Sequence, residues 1–254
     1  MNCRRLVGKV AIVTGGGRGI GRAIGQRLAA EGAAVLLGDI NRDSALMAAE
    51  ELRTTGADVQ GVYMDVIDAA SVHTAVAEAV NWKGHIDILI NNAGIQRDRT
   101  LQKMSDEEWE VVINTDLRSA FYCCRAVLPY MPDGGRIVSI SSRLFLGNFG
   151  STNYAAAKAG LIGLSRSLAL EVAKRGITVN VIAPGVIETP GLEQFRQQAP
   201  AVFASFMKAT PMGHPGQPED VAGAVAFFCS DDARFITGQT LFVCGGWSIH
   251  SPAW

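Results

Sequence analysis

Seven short runs of aliphatic and β-branched residues recur along the chain: 9–14 (KVAIVT), 34–39 (AVLLGD), 58–64 (DVQGVYM), 87–90 (DILI), 135–141 (GRIVSIS), 177–182 (ITVNVI) and 239–244 (QTLFVC). Helix-length amphipathic or alanine-rich stretches separate them at 19–31, 42–56, 69–83, 106–131, 153–175 and 218–230. Strands apolar on both faces need cover on both faces, so the rhythm predicts a doubly wound α/β fold, a parallel sheet between helical layers. No linker, charge block or repeat divides the chain, and residues 1–254 are read as one domain. The rhythm fails at about 189–217, a stretch rich in Pro, Gly, Phe and Met. Long irregular segments in compact domains are usually functional, and this one is predicted to be a substrate lid.

Composition excludes several other classes. With 23 Lys+Arg against 24 Asp+Glu, the net charge of -1 offers no field for nucleic acid. No apolar run reaches the ~20 residues of a membrane span. The N-terminal MNCRRLVGKVAIVTG enters a strand-like segment with no separate apolar leader, so a cytoplasmic protein is expected. Cys3, Cys123, Cys124, Cys229 and Cys244 form no Cys-x-x-Cys pair, and His73, His85, His214 and His250 stand apart. Buried or neutral thiols in a reducing compartment, and no metal site, are expected.

The first strand ends in TGGGRGIG, residues 14–21. Gly15, Gly19 and Gly21 open a helix, where backbone N–H groups and the helix dipole can face a pyrophosphate and a Cβ would block close approach. Asp39 closes the second strand, 18 residues after Gly21. Its carboxylate is placed to accept hydrogen bonds from an adenosine ribose and to repel a 2′-phosphate, so a dinucleotide site is predicted.

Further motifs follow in order: Asp65-Val66, NNAG at 91–94, Asn114, ISS at 140–142, YAAAK at 154–158 and PG-x-I-x-T at 184–189. Together with TG-x-x-x-G-x-G they resemble the short-chain dehydrogenase/reductase family over essentially the whole chain. The segments around NNAGIQRDRTLQKMSDEEW and GQPEDVAGAVAFFCSDDARFITGQTLFVCGG are most similar to 3-oxoacyl-(acyl-carrier-protein) reductases. The resemblance implies a seven-stranded parallel Rossmann-like sheet and a homotetramer or dimer, with the homotetramer expected here.

It also implies site roles. Tyr154 is expected to be the general acid/base, with Lys158 four residues on, sharing a helix face. A phenol of pKa near ~10 is a poor base at neutral pH, and a nearby cation favours its ionised form. Lys158 is expected also to reach the nicotinamide ribose. For the serine that bonds the substrate oxygen, the family's usual interval back from Tyr154 points to Ser141, whereas the strand register points to Ser142; Ser142 is chosen because a loop loses a residue more easily than a strand. Asn114 resembles the residue that kinks its helix and holds a relay water near Lys158. Arg18 and Ile20 join the glycine loop as cofactor contacts. Asp65 and Val66 are expected at the adenine, Asn92, Ala93 and Gly94 along the ribose, and Pro184, Gly185, Ile187 and Thr189 around the nicotinamide amide.

Asp39 favours NAD over NADP, although a basic residue near Arg18 binds the 2′-phosphate in NADP-using members and the most similar subgroup generally uses NADPH. Two departures from that subgroup agree. Pro132-Asp133-Gly134 stands where basic residues are expected for docking a carrier protein, with Arg175 the one basic position retained, and Cys244 replaces the usual Asp before Gly245-Gly246. Three readings stand at this point. One is an NAD-dependent oxidoreductase of secondary alcohols and ketones, another an NADPH-dependent 3-oxoacyl thioester reductase, and the third a non-catalytic nucleotide sensor. The presence of Asn114, Ser142, Tyr154 and Lys158 disfavours the third. Small alcohols, ketones or acyl thioesters are the expected partners, without nucleic acid or membrane.

Overall fold

The computed structural model describes residues 4–249; Cys3 and His250 lie outside the described residues. Each predicted run meets a strand, with β4 and β6 ending past their runs: β1 (Val10–Thr14), β2 (Ala34–Asp39), β3 (Val59–Tyr63), β4 (Ile88–Asn91), β5 (Arg136–Ile140), β6 (Thr178–Pro184) and β7 (Thr240–Val243). They form one seven-stranded parallel sheet in the order β3-β2-β1-β4-β5-β6-β7. Alternation along the strands splits the core into two layers. Val13, Val35, Leu37, Ile88 and Ile90 pack on one face with residues of α1 (Gly19–Ala30), α2 (Arg42–Arg53) and α9 (Pro218–Cys229). Ile12, Leu36, Leu89, Ile137 and Val179 pack on the other with residues of α3 (Ala69–Lys83), α5 (Ser119–Val127) and α6 (Thr152–Val172). Burying one such Leu or Ile contributes roughly 1.5–3 kcal/mol, and both layers hold many.

The helix starts follow local chemistry. Asn41 and Asp68 cap α2 and α3 by accepting from Ser44 N and Ala70 N. Ser105 and Glu108 form a reciprocal capping box at α4 (Asp106–Ile113). At the end of α1, buried Glu31 accepts from Arg5 at 2.7 and 2.8 Å and from Arg27 at 2.7 Å, which ties the N-terminal segment to the helix. Burial opposes ionisation of this carboxyl, but the two guanidinium groups outweigh it and hold its pKa below the ordinary value.

Two expectations need correction. The 106–131 stretch is not one helix. A π-helical turn, Asn114–Arg118, separates α4 from α5, and a 3-10 turn at Leu128–Tyr130 follows α5 because Pro129 has no N–H to continue it. Nor is 189–217 irregular. It holds α7 (Pro190–Gln198) and α8 (Pro200–Ala209), each with proline in its first turn, where the missing N–H costs nothing. Neither helix buries a residue completely. Cys123, Cys124 and Cys229 are free and buried, and desolvation pushes Cys124 up to about 11 and Cys229 up to about 12. Among the described residues no helix is long and apolar enough to cross a membrane.

Candidate active site

Strand order reverses between β1, whose successor β2 lies to one side, and β4, which lies to the other. In open α/β sheets a crevice forms at the carboxyl ends of such strands. Thr14 pins the two ends together: its hydroxyl donates to Ile90 O at 3.3 Å and accepts from Asn92 N and Ala93 N at 2.9 and 3.0 Å. The Asn92 amide donates to Thr14 O and Gly15 O at 2.9 and 3.1 Å. Asn92 therefore holds the glycine loop in place through its side chain, a role its expected place along the ribose did not include.

The loop fits a dinucleotide backbone. Gly19 has φ +53, in the left-handed region, and a Cβ on Gly21 would lie 2.1 Å from Gly15 O. The bare backbone of this turn leaves N–H groups at the start of α1 for an anion. Arg18 stands at the N-cap position of α1 without a side-chain cap hydrogen bond and is exposed, and Ile20 packs against the core beneath. Across the crevice, Thr189 Cγ2 lies 3.6 Å from where a Gly19 Cβ would stand, so the segments after β1 and β6 face each other. Thr189 also caps α7 through Leu192 N. Pro184 ends β6, Gly185 packs so closely on Cys244 that a Cβ would come within 2.8 Å of its Cα, and Ile187 pairs with Gly216.

Asp39 is held by backbone donors on both carboxylate oxygens, Gly17 N at 3.0 Å and Asn41 N at 2.9 Å. The carboxylate thus stands beside the glycine loop at the end of β2. Asp65 follows β3, accepting from Ile67 N at 3.1 Å, and Val66 is buried next to it.

On the other side of the crevice, Ser142, Tyr154 and Lys158 converge. The Ser142 side chain lies close enough to the Tyr154 phenol to favour its ionised form, and Lys158 Nζ lies 5.4 Å from the Tyr154 ring centre. Ser141 turns the other way and donates to Lys158 O at 2.8 Å. Adjacent residues at a strand end point to opposite sides, so only one serine can meet the tyrosine. Buried Asn153 fixes the start of α6, donating to Arg97 O and Glu108 O at 3.0 Å and accepting from Tyr154 N at 2.8 Å. Nothing in the sequence pattern singled it out.

Lys158 is buried, and its ammonium donates to Ile140 O at 3.0 Å and pairs with Asp116 Oδ2 at 3.0 Å. Asp116 lies in the π-helical turn, and its other oxygen accepts from Ile95 N at 2.8 Å. Gly94 passes directly over this pair; a Cβ there would meet Asp116 Oδ2 at 2.8 Å. Asn114 opens the same turn, but its side-chain oxygen is buried without a hydrogen-bond partner, and the side chain paired with Lys158 is Asp116. The acid was legible two residues beyond Asn114 in NTDLR; only the widened turn aims it at the lysine.

This pairing changes the electrostatics expected from YAAAK. Burial lowers the tendency of Lys158 to stay charged, yet Asp116 and Tyr154 outweigh it and raise its pKa. For Tyr154 burial is the largest effect and raises the phenol pKa. Lys158 and the Ser142 side chain pull it down, and Asp116 and the more distant Asp98 push it up. The net direction is upward, contrary to the expectation that Lys158 alone would lower it, because burial outweighs the lysine and Asp116 answers part of its charge.

Arg175, the basic position expected to be retained for carrier docking, makes contacts within the fold. Arg175 pairs with Asp133 at 3.2 Å and donates to Leu128 O and Met131 O, closing the loop before β5.

Comparison with known proteins adds an independent line. Residues 15–248 match the family model described as enoyl-(acyl carrier protein) reductase. A 3-oxoacyl-[acyl-carrier-protein] reductase of Escherichia coli (strain K12) is 47% identical over 94% of this chain and 97% of its own length. The (2S)-[(R)-hydroxy(phenyl)methyl]succinyl-CoA dehydrogenase subunit BbsD of Thauera aromatica is 40% identical over 96% and 98%. A blue fluorescent protein from a metagenomic library, solved in complex with NADPH, superimposes with a TM-score of 0.90 at 38% identity, covering 96% of this chain and 99% of that one.

Proposed function

Because this chain belongs to the short-chain dehydrogenase/reductase family, and is thus a nicotinamide-dependent oxidoreductase, we propose that it interconverts a secondary alcohol and a ketone with NAD(H). The observation that carries the reading is the convergence of Ser142, Tyr154 and Lys158 beside the glycine cradle. A bound dinucleotide supplies the hydride acceptor or donor. Gly15, Gly19 and Gly21 with the start of α1 would hold its pyrophosphate, Asp39 its adenosine ribose, and Lys158 and Thr189 its nicotinamide end. Ser142 would donate to the substrate oxygen, and Tyr154 would pass the proton to or from that same oxygen. The raised pKa keeps the phenol protonated near neutral pH, the form that can donate to a carbonyl oxygen. The exposed helices α7 and α8 would form the lid that excludes water.

NAD is favoured by Asp39, a carboxylate held beside the glycine loop at the end of β2, which would repel a 2′-phosphate bound next to it. A second reading, an NADPH-dependent 3-oxoacyl thioester reductase, is favoured by the 47% identity to the Escherichia coli enzyme of that name. The reading extends to a cytoplasmic homotetramer, supported by exposed Phe121 and Leu170 on α5 and α6; sedimentation measures that directly. The deciding experiment titrates the protein with NADH and NADPH and then assays alcohols, ketones and 3-oxoacyl thioesters. NADPH preferred by more than tenfold, with turnover confined to thioesters, would replace the first reading with the second. Turnover of nothing, with either dinucleotide bound, would leave a nucleotide sensor.

A further inference from the structure

Arg143 directly follows Ser142, and its side chain is only partly exposed. Its guanidinium lies over the ring of buried Trp247 at 4.2 Å. Among the described residues no carboxylate pairs with it, and its Nε is buried without a hydrogen-bond partner. Trp247 in turn packs on Phe206 of α8 at 5.1 Å, and Phe206 stacks on Phe195 of α7 at 5.9 Å. A permanently charged group thus stands where the catalytic loop, the C-terminal segment and the two outer helices meet, with aromatic cover and, among the described residues, no counter-ion.

A partly desolvated guanidinium is costly unless something answers its charge. The other buried cations in the fold are answered: Lys158 by Asp116 and Arg136 by backbone carbonyls and Asp231. We propose that Arg143 is a substrate-specificity residue, binding a carboxylate borne by the substrate within a few bonds of the reacting carbon. Neighbouring Cα atoms are ~3.8 Å apart, so Arg143 stems from the same loop as the serine that would bond the substrate oxygen, which is why the carboxylate is assigned to the substrate itself. Its planar fork accepts a carboxylate edge-on while its face stays on Trp247. The inference rests on the proposed oxidoreductase reading for the position of the reacting carbon.

The test uses 3-oxohexanoate and its methyl ester, which share the reacting ketone and differ in the charge. Binding of each is measured by nicotinamide fluorescence, in complex with whichever reduced dinucleotide the protein holds more tightly. The Tyr154→Phe background keeps the complex from turning over. The acid is expected to bind roughly 10- to 100-fold more tightly than the ester, as for a charge-assisted hydrogen bond. Arg143→Gln is expected to abolish that preference and leave ester binding unchanged, while Arg143→Lys retains part of it. If Arg143 served only to pack Trp247, acid and ester would weaken together. That result, an ester bound as well as the acid, an acid preference surviving Arg143→Gln, or no binding of the acid overturns the proposal. Reduction of the ketone by the unaltered protein is followed separately. Its failure beside an intact, Arg143-dependent acid preference would refute the oxidoreductase reading and not the carboxylate site.

Discussion

Replacing Asp116 with Asn removes a charge from the site while keeping an oxygen for Ile95 N. The consequence can be worked from the geometry. Lys158 Nζ lies 5.4 Å from the Tyr154 ring centre, and at an effective dielectric of ~20 a unit charge there favours phenolate by about 3 kcal/mol. The Asp116 oxygen lies 3.0 Å from that ammonium, hence at most about 8 Å from the ring centre, and opposes with about 2 kcal/mol or more. Removing that opposition lowers the pKa of the tyrosine. Lys158 simultaneously loses the partner that raises its own pKa. The two groups titrate as a pair, so whichever gives up the first proton, it leaves at lower pH than before. In a pH profile of kcat/KM for alcohol oxidation, the acidic limb of Asp116→Asn is expected to fall by at least about one unit. The maximum falls too, because part of the pair then holds its proton on the phenol beside a neutral lysine. An acidic limb that stays in place or moves to higher pH would refute this account of Asp116.

Three further substitutions test other parts of the structure. Ser142→Ala is expected to lower kcat by about 10²–10³, the cost of one preorganised donor, while Ser141→Ala keeps kcat and loses about 0.5–1.5 kcal/mol of stability with its hydrogen bond to Lys158 O, a carbonyl that keeps its place in the α6 ladder; paired kinetics and denaturation decide, and an inactive Ser141→Ala reverses the assignment. Asp39→Ala is expected to relax preference for NADH over NADPH, and adding Ile40→Arg to move it toward NADPH, as read by dissociation constants for both; an unchanged ratio in both variants would remove Asp39 from the ribose. Glu31→Gln is expected to cost on the order of 1 kcal/mol at pH 7, about 2–4 °C of Tm. Since the folded pKa of Glu31 is lowered, its contribution is complete above about 4.5 and lost as pH falls through the folded value, so the Tm gap to the parent protein closes in acid. A gap that persists below that range would mean packing, not charge, holds Glu31.

What the amino-acid sequence alone determined is whatever depends on neighbours a few residues apart. Continuous apolar runs such as AVLLGD dictate strands covered on both sides, and each of the seven runs meets a strand, with β4 and β6 extending one and two residues past their runs. TGGGRGIG forces a tight backbone before α1, and YAAAK puts a phenol and an ammonium on one helical face. Where prolines and an interrupted helix were concerned, local pattern misled: a first-turn proline reads like a breaker, and NTDLR looks like ordinary helix. The tertiary structure decided what depends on contacts made across the sheet. Ser142 meets Tyr154 and Ser141 does not because β5 delivers its end to α6 in one register. Asp116 reaches Lys158 because a π-helical turn rotates a carboxylate into α6, a partnership between residues 42 positions apart that no periodicity encodes. Arg143 gains its meaning from Trp247, brought in from the far end of the chain. Charge in a dry site acts through space, and which charges share that space is settled only when the sheet has closed.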